Sequence, residues 1–220
     1  MQCEKNENRN TGRVYFARVV KHERQVNMHI ADGILPLHIT IAADIVAVGA
    51  VYAGGRNLKA EEIPKMGIFT AALFIISLVH FPLPGGPSLH LGLFGIAGLL
   101  FGKRAFSIIF ITLLFQSLIF QHGGLIAIGI NALTMGSGAL AGWLAWDFIP
   151  LNQKIKAFLC GFFGIFFPAL LLSLLFFFLD YGKGMAFLMS VYIPAALIEG
   201  ALTSTVVAFF HKVEPEILKR

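Results

Sequence analysis

Residues 155–179 read IKAFLCGFFGIFFPALLLSLLFFFL, an apolar stretch whose one charged residue, Lys156, is the second of the run. An α-helix needs about 20 predominantly apolar residues to cross the hydrocarbon core of a bilayer. A stretch of this length and composition therefore predicts a membrane-spanning helix.

The composition of the whole chain agrees with that stretch. The 220 residues are 57% hydrophobic and 13% charged, whereas soluble proteins average about half apolar and about a quarter charged residues. Twenty-two Phe against four Tyr and two Trp point the same way, because Phe has no polar atom to satisfy in an apolar surrounding. This composition excludes a water-soluble domain.

Six further apolar segments accompany the first, and the composition changes abruptly from polar to apolar at Met28. We predict an all-α membrane protein, a polytopic bundle of about seven transmembrane helices. The predicted segments are 37–53, 64–81, 90–102, 104–121, 125–148, 155–179 and 186–210. The predicted domains are a polar basic extension at 1–27, a transmembrane domain at 28–212 and a short cytoplasmic tail at 213–220.

The connections between these segments alternate in charge. Short cytoplasmic loops are enriched in Lys and Arg, and every second connection here is basic, with Lys183 as the exception on the other side. A multi-pass protein of the cell membrane with Met28 outside and the C-terminus in the cytoplasm satisfies this pattern. The basic residues of the predicted cytoplasmic connections are Arg56, Lys59, Lys65, Lys103, Arg104, Lys154, Lys156, Lys212, Lys219 and Arg220.

Residues 1–27 conflict with that orientation, because they would place six basic side chains on the outer side. They contain no continuous apolar region, so they are neither a signal peptide nor a spanning helix. Two interpretations stay open: a genuine disordered extension, or a working chain that begins at Met28.

Several function classes lack their sequence signals. The two cysteines, Cys3 and Cys160, form no metal-binding spacing, and the sequence has no phosphate-binding loop of the G-x-x-x-x-G-K-[ST] type. The net charge of +5 belongs to the loops, so we predict no nucleic-acid partner. We expect a non-enzymatic chain that does not itself hydrolyse ATP.

Histidines gather on the predicted outer side. Neutral imidazole is the commonest metal ligand and suits Ni, Cu, Zn and Co. If Met28 is the first residue, its α-amine, the amide nitrogen of His29 and the His29 ring can chelate one ion in a plane. A fourth imidazole would complete a square-planar set, the geometry of Ni(II) or Cu(II). The outer histidines are His29, His38, His80, His90 and His122.

Four motifs follow one another along the chain. Residues 28–36 read MHIADGILP, and residues 80–91 read HFPLPGGPSLHL. Residues 121–136 read QHGGLIAIGINALTMG, and residues 198–203 read IEGALT. In this order they resemble the motifs of the cobalt/nickel substrate-binding membrane subunits (CbiM/NikM type) of energy-coupling-factor transporters.

That resemblance implies a metal site made by the α-amine of Met28, the amide and ring nitrogens of His29 and the imidazole of His90. The transported ion would be Co(II) or Ni(II), since the same nitrogen set holds either, and no cofactor is expected. The implied partners are a transmembrane coupling (T) protein and a pair of cytoplasmic ABC-type ATPases, with an additional small membrane subunit as an open alternative. In the family the starting Met is the chain terminus, whereas 27 residues precede it here.

Other polar residues are candidates for orienting the ligands. A ligand needs hydrogen-bonding partners that hold it in place, although bonds to loop or helix-end backbone explain such residues equally well. Glu199 and Asp44 lie inside apolar segments, where a charged side chain normally faces the bundle interior. We expect a structural hydrogen bond or helix packing for Glu199, and a neighbour or a partner subunit for Asp44. The predicted orienting residues are Asp32, Ser88, His122 and Asn131.

Small residues recur at helical spacing, which lets helix backbones approach closely. We expect most of these rows to mediate packing within the chain. They are Ala43/Ala47, Gly92/Gly95/Gly98/Gly102 and Gly138/Gly142.

Two other function classes stay open on the residues alone. A membrane redox protein could use His pairs as axial haem ligands, but these histidines lie in loops and at helix ends rather than on facing helices. A stand-alone secondary metal transporter predicts inverted repeats, and the sequence shows no internal repeat.

Overall fold

The computed structural model describes residues 29–82, 88–178 and 185–218. Residues 1–27 and Met28 lie outside the described residues, so the predictions about them are not addressed by the fold. The α-helices of the described chain are α1 (Leu37–Gly55), α2 (Ile63–Ser77), α3 (Phe94–Phe101), α4 (Ala105–Phe120), α5 (Ile128–Phe148), α6 (Gln153–Phe178) and α7 (Met185–Val213). Short 3₁₀ turns follow at Ala60–Glu62, Gly102–Arg104 and Pro215–Leu218.

The all-α class is confirmed for the bulk of the chain, with one small addition. Strands β1 (His80–Pro82) and β2 (Ser88–His90) form an antiparallel pair in which His80 lies opposite His90. The predicted segments 64–81 and 90–102 therefore extended too far. Residues 80–81, at the end of the first, and residue 90, at the start of the second, belong to this hairpin. Strands of three residues containing proline carry no alternating pattern that a sequence could reveal.

Helices α3 and α4 form a hairpin of helices rather than one long rod. The ring centroids of His90 and His122, which flank residues 94–120, are 6.5 Å apart, whereas a continuous helix of that length would measure about 40 Å. The chain turns at Gly102, whose φ of 57° suits glycine. The turn predicted around residues 102–104 is thus confirmed.

Within the described part of the chain, five stretches are long and apolar enough to cross a membrane: 37–55, 94–120, 128–148, 153–178 and 186–213. The second of these is the α3–α4 hairpin described above. Helix α2, with 15 residues, is shorter than the usual span. Seven membrane crossings and the orientation of the termini therefore stay predictions.

Glycines join α3, α5 and α6 in one tightly packed seam, as the small-residue rows predicted. A Cβ placed on Gly98 of α3 would collide with the backbone of Ala139 and lie 2.9 Å from the Trp143 nitrogen of α5. A Cβ on Gly95 would lie 2.9 Å from the Gly161 nitrogen of α6. Such contacts require glycine, because any larger residue would push two helices apart.

The basic connections gather at one end of the bundle, which we name the basic end. Arg104 forms an ion pair with Glu62 and donates a 3.4 Å hydrogen bond to the Asn57 carbonyl. The Lys154 carbonyl accepts a hydrogen bond from Ser204 near the end of α7. The opposite end, which we name the histidine end, contains the segments around His29, His90 and His122. The grouping of the basic connections at one end of the bundle agrees with the alternating charge of the connections along the sequence.

Helix α1 leaves a broad apolar face exposed. An exposed apolar surface of this extent is unfavourable in water and favourable against lipid. Large apolar residues on that face that are about half exposed or more are Ile41, Ile45, Val46, Val48 and Tyr52.

Candidate metal site

Two of the predicted ligands, His29 and His90, meet at the histidine end. His29 is 6% exposed and His90 is 2% exposed. Their ring centroids lie 5.1 Å apart with 30° between the ring planes. The fold thus brings together two imidazoles that are 61 residues apart in the sequence, as the predicted ligand set requires.

A third imidazole, His122, contacts the same ring. Its centroid lies 4.4 Å from that of His29, in an edge-to-face arrangement at 64°. His122 follows α4, where Gln121 adopts a left-handed conformation with φ 52° and the His122 amide donates to the Gln116 carbonyl at 3.2 Å. The sequence predicted an orienting role for His122, and the structure places its ring directly against His29.

Two hydrogen bonds from the Asn131 side chain hold Ile30, the residue after His29. The Asn131 side chain accepts a hydrogen bond from the Ile30 amide at 2.7 Å and donates one to the Ile30 carbonyl at 2.9 Å. The Gly124 amide donates a further bond to the Ile30 carbonyl at 3.1 Å. Asn131 is 3% exposed, so water does not compete for these bonds. Its contacts fix the backbone of the chain beside His29.

Asp32, two residues after Ile30, makes further hydrogen bonds that hold the same segment. Its carboxylate accepts hydrogen bonds from the Leu125 amide at 3.0 Å and the Ala127 amide at 2.9 Å. These amides precede the first turn of α5, where donors lack partners inside the helix. Asp32 therefore joins the His29 segment to the start of α5.

The two glycines of the His-Gly-Gly motif leave room for this segment. Gly123 has φ 79°, and a Cβ there would lie 3.4 Å from the Nδ1 atom of His29. A Cβ on Gly124 would lie 2.5 Å from the Asp32 amide nitrogen, which no native contact tolerates. The motif is thus a docking surface for residues 29–32.

Asp44 is a positioning residue that the sequence did not assign. Its carboxylate on α1 accepts a 2.7 Å hydrogen bond from the Gly129 amide in the first turn of α5. A carboxylate is favourable there, because the helix dipole places positive charge at an N-terminus. Asp44 thereby anchors the turn that carries Asn131. The sequence signal was a charge inside an apolar segment, but its partner lay 85 residues away.

The remaining predicted residues lie elsewhere or outside the description. The side chain of Ser88 is not among the described groups, although its backbone pairs with Pro82 in the strand ladder. His38, on the first turn of α1, is exposed. His80 lies opposite His90 in the ladder.

The side chains in the described part of the chain do not complete a metal site by themselves. Among those residues, no three His, Cys, Asp or Glu side chains form a group that could hold a metal ion. What the structure supplies is two buried imidazoles beside a backbone segment fixed by hydrogen bonds. Two imidazoles can supply two nitrogen ligands to an ion, so a complete site needs further ligands beyond these side chains.

The sequence is similar to those of several proteins described as metal transport proteins. Over 203 residues the chain is 30% identical to a protein of Haemophilus influenzae described as a putative metal transport protein, covering 88% of this chain and 98% of that one. It is 29% identical to a cobalt transport protein, CbiM, of Clostridium tetani, with 84% and 85% covered. A putative fused nickel transport protein, NikMN, of Archaeoglobus fulgidus is 27% identical, with 88% and 68% covered.

Solved structures share the fold. A crystal structure described as a transition metal transporter matches 85% of this chain and 94% of its own with a TM-score of 0.72 at 23% identity. A truncated transition metal transporter matches with a TM-score of 0.71 at 22% identity, over 84% of this chain and 98% of its own. The five apolar stretches, together with the relatives described as transport proteins, indicate an integral membrane protein.

The family assignment rests on the length of a further match. The model of the CbiM family, described as the cobalt uptake substrate-specific transmembrane region, matches residues 29–217. That range includes His29, His90, His122 and every hydrogen bond described around them. Since the match extends over most of the sequence, the chain belongs to the CbiM family of cobalt uptake substrate-specific transmembrane regions.

Proposed function

We propose that this protein is the substrate-capture component of an ATP-driven energy-coupling-factor uptake transporter for Co(II) or Ni(II). The observation that carries the proposal is the pair of buried imidazoles, His29 and His90, 5.1 Å apart at the histidine end. Membership of the CbiM family supports the same substrates. In this function the chain binds the ion and partner subunits supply the energy.

The proposed ligands are the α-amine of Met28, the amide and ring nitrogens of His29, and the ring of His90. The first three form fused chelate rings in one plane, so the His90 ring occupies the fourth corner beside the His29 ring. Imidazole nitrogens bind metals at about 2 Å, which places the centroids of two such neighbouring rings roughly 4.5 Å apart. The 5.1 Å separation of the two centroids requires only a small adjustment on binding.

His122 acts beside this plane in the proposed site. Its edge-to-face contact with His29 fits a ring that fixes the orientation of the His29 imidazole. The nitrogens of Met28 and His29 occupy three corners of the plane and the proposal gives the fourth to His90, so His122, whose centroid is 6.5 Å from that of His90, is left outside the plane. We therefore assign His122 an orienting role rather than a ligand role.

The proposed partners are those that the family resemblance implies: a transmembrane coupling protein and a pair of ATPases. A chain without a phosphate-binding loop of its own is consistent with ATPases on separate subunits. We propose that the basic end faces the cytoplasm and lies nearer to those ATPases, because cytoplasmic loops concentrate Lys and Arg.

Calorimetric titration with Ni(II) and Co(II) tests the ligand assignment. His90→Ala removes one of four nitrogen ligands, and we expect the affinity to fall by more than about 100-fold, since even outer hydrogen-bonding partners contribute 10–100-fold. His38→Ala is the matched control, because His38 is an exposed histidine on α1, and it should bind as the unmodified protein does. His122→Ala should fall between the two.

The outcomes distinguish the alternatives. Equal losses in His90→Ala and His38→Ala would contradict the site. A loss in His122→Ala greater than in His90→Ala would exchange the roles of these two residues. Each titration is run on the 220-residue chain and on a chain whose first residue is Met28, because the proposed α-amine ligand exists only in the second.

A further inference from the structure

The connection between β2 and α3 is short and tightly packed. It consists of residues 91–93 and immediately follows His90. A Cβ on Gly92 would lie 2.5 Å from the Phe94 ring and 3.1 Å from the Ile165 side chain. Leu93 has φ 48°, a left-handed conformation that is unfavourable for a residue with a side chain. Such a conformation persists only where surrounding contacts enforce it.

Glu199 supplies a contact of that kind from the middle of α7. Its Oε2 atom accepts a 3.0 Å hydrogen bond from the Gly92 amide, and the carboxyl group also interacts with the Leu93 backbone. Helix α3 begins at Phe94 without a side-chain cap from its own N-cap residue. Glu199 therefore holds the two residues that precede α3, from a helix that is more than 100 residues away in the sequence.

A packing role alone does not explain this side chain. Glu199 is 1% exposed, and an apolar residue would fill that volume without the cost of burying a carboxyl group. Within the described part of the chain, its other oxygen, Oε1, has no hydrogen-bond partner. The hydrogen bonds described for the carboxyl group are thus directed at the connection that follows His90.

We propose that Glu199 is a positioning residue for the metal site, which fixes the His90 ligand by holding the backbone of residues 92–93. The inference rests on the proposed function, because His90 is the ligand being positioned. Glu199 itself does not touch the ion. Through this contact the last helix of the chain, α7, stabilises the geometry of the site.

Three variants separate positioning from packing and from charge. Glu199→Gln keeps an oxygen that accepts from the Gly92 amide, whereas Glu199→Leu keeps the approximate volume and removes the acceptor. Thr203→Val is the matched control, because Thr203 is fully buried one turn later on α7 and its hydroxyl has no hydrogen-bond partner among the described residues. All are purified as the full chain and as a chain starting at Met28.

Two readouts are measured for each variant: the Ni(II) affinity by calorimetry and the hydrogen exchange of amides 91–93 without metal. Glu199→Leu should bind Ni(II) about 10–100-fold more weakly, as expected for an outer partner of a ligand, and its amides should exchange faster. Glu199→Gln and Thr203→Val should keep both values within about threefold, in line with an intact hydrogen bond at Gly92.

The outcomes are distinguishable from failure of the proposed function. If the unmodified protein binds neither Ni(II) nor Co(II) in either form, the proposed function is wrong, and the exchange readout still tests the positioning. Unchanged affinity and exchange in a folded Glu199→Leu protein would overturn the inference. If that variant does not fold, Glu199→Gln decides: retained values support the inference, and a large loss in the folded protein contradicts it.

Discussion

The histidine end and the basic end of the bundle are organised by different forces. At the histidine end, five hydrogen bonds hold residues 30–32 against residues 124–131. At the basic end, Arg104 makes an ion pair with Glu62 and a long hydrogen bond to Asn57. The five bonds at the histidine end measure 2.7–3.1 Å and converge on Ile30 and Asp32, whereas the hydrogen bonds of Arg104 and Ser204 to backbone carbonyls at the basic end measure 3.4 and 3.2 Å. Hydrogen bonds are directional and ion pairs are less so, so position is specified more closely at the histidine end.

This difference matches the tasks that we propose for the two ends. A square-planar ion constrains its ligands to a few tenths of an ångström, so the His29 backbone must be fixed. The basic residues need only to be on one side of the membrane, which their charge ensures without defined geometry.

The largest effect concerns which side of the membrane each end faces. In a Cys3→Ser background, where Cys160 is buried, we place single cysteines as Ser88→Cys and Lys103→Cys. A membrane-impermeant thiol reagent should label Ser88→Cys only from outside and Lys103→Cys only from the cytoplasm. The reason is the concentration of Lys and Arg at the end that contains Lys103. Labelling of Ser88→Cys from the cytoplasm alone would reverse the orientation.

A single inserted residue should abolish metal binding at the histidine end. In a chain that begins at Met28, Ala inserted between Met28 and His29 keeps every side chain but changes the size of the chelate rings. It adds a residue at a chain end, which normally costs little stability. We expect no measurable Ni(II) binding by calorimetry.

The control insertion is made at the basic end, between Leu58 and Lys59, where the chain forms a loop and loops accept insertions. That variant should bind Ni(II) as before. Tight binding by the first variant would show that the α-amine is not a ligand, as would tight binding by the 220-residue chain with its first 27 residues verified intact by mass spectrometry.

The next largest effect is expected from loss of the two Asn131 hydrogen bonds to Ile30. Asn131→Ala removes both hydrogen bonds to the Ile30 backbone, and we expect Ni(II) affinity to fall about 10–100-fold. Asn131→Asp keeps the acceptor for the Ile30 amide and loses the donor to its carbonyl, so its affinity should be intermediate. Calorimetry on both variants gives the ranking. Wild-type affinity in a folded Asn131→Ala protein would mean that Gly124 and Asp32 hold the segment without it.

The helices could be predicted because the length of an apolar run can be read directly from the local sequence. Helices α5, α6 and α7 end within about three residues of the predicted segments. The β1–β2 hairpin could not, since its pairing depends on contacts between segments rather than on composition. The turn at Gly102 was visible because two basic residues interrupt an otherwise continuous apolar run.

The site was predictable in its residue types but not in its connections. His29 and His90 were identified through the resemblance of their motifs, and their proximity agrees with it. The contact of Asp44 with Gly129 and that of Glu199 with Gly92 join residues 85 and 107 positions apart. No local pattern encodes such pairs, so the sequence indicated only that a charge inside an apolar segment normally faces the bundle interior, with a neighbour or a partner subunit both open for Asp44.

The smallest effect is expected from breaking the ion pair at the basic end. Arg104→Gln removes the positive charge beside Glu62, whose side chain is 32% exposed, while that of Arg104 is 24% exposed. Ion pairs that reach solvent contribute about 0.2–1 kcal/mol and are weakened by salt. The free energy of unfolding should therefore fall by less than about 1 kcal/mol, and the difference should shrink in high salt.

The Ni(II) affinity of Arg104→Gln should stay within about twofold, because nothing at the basic end fixes a ligand by a directional bond. Arg104→Lys is the matched control, since it keeps the charge and loses the planar group. Denaturant unfolding at two salt concentrations and calorimetry on both variants provide the measurements. A tenfold loss of Ni(II) affinity in a folded Arg104→Gln protein would show that the two ends are coupled. The histidine end and the basic end could then no longer be treated as separately organised.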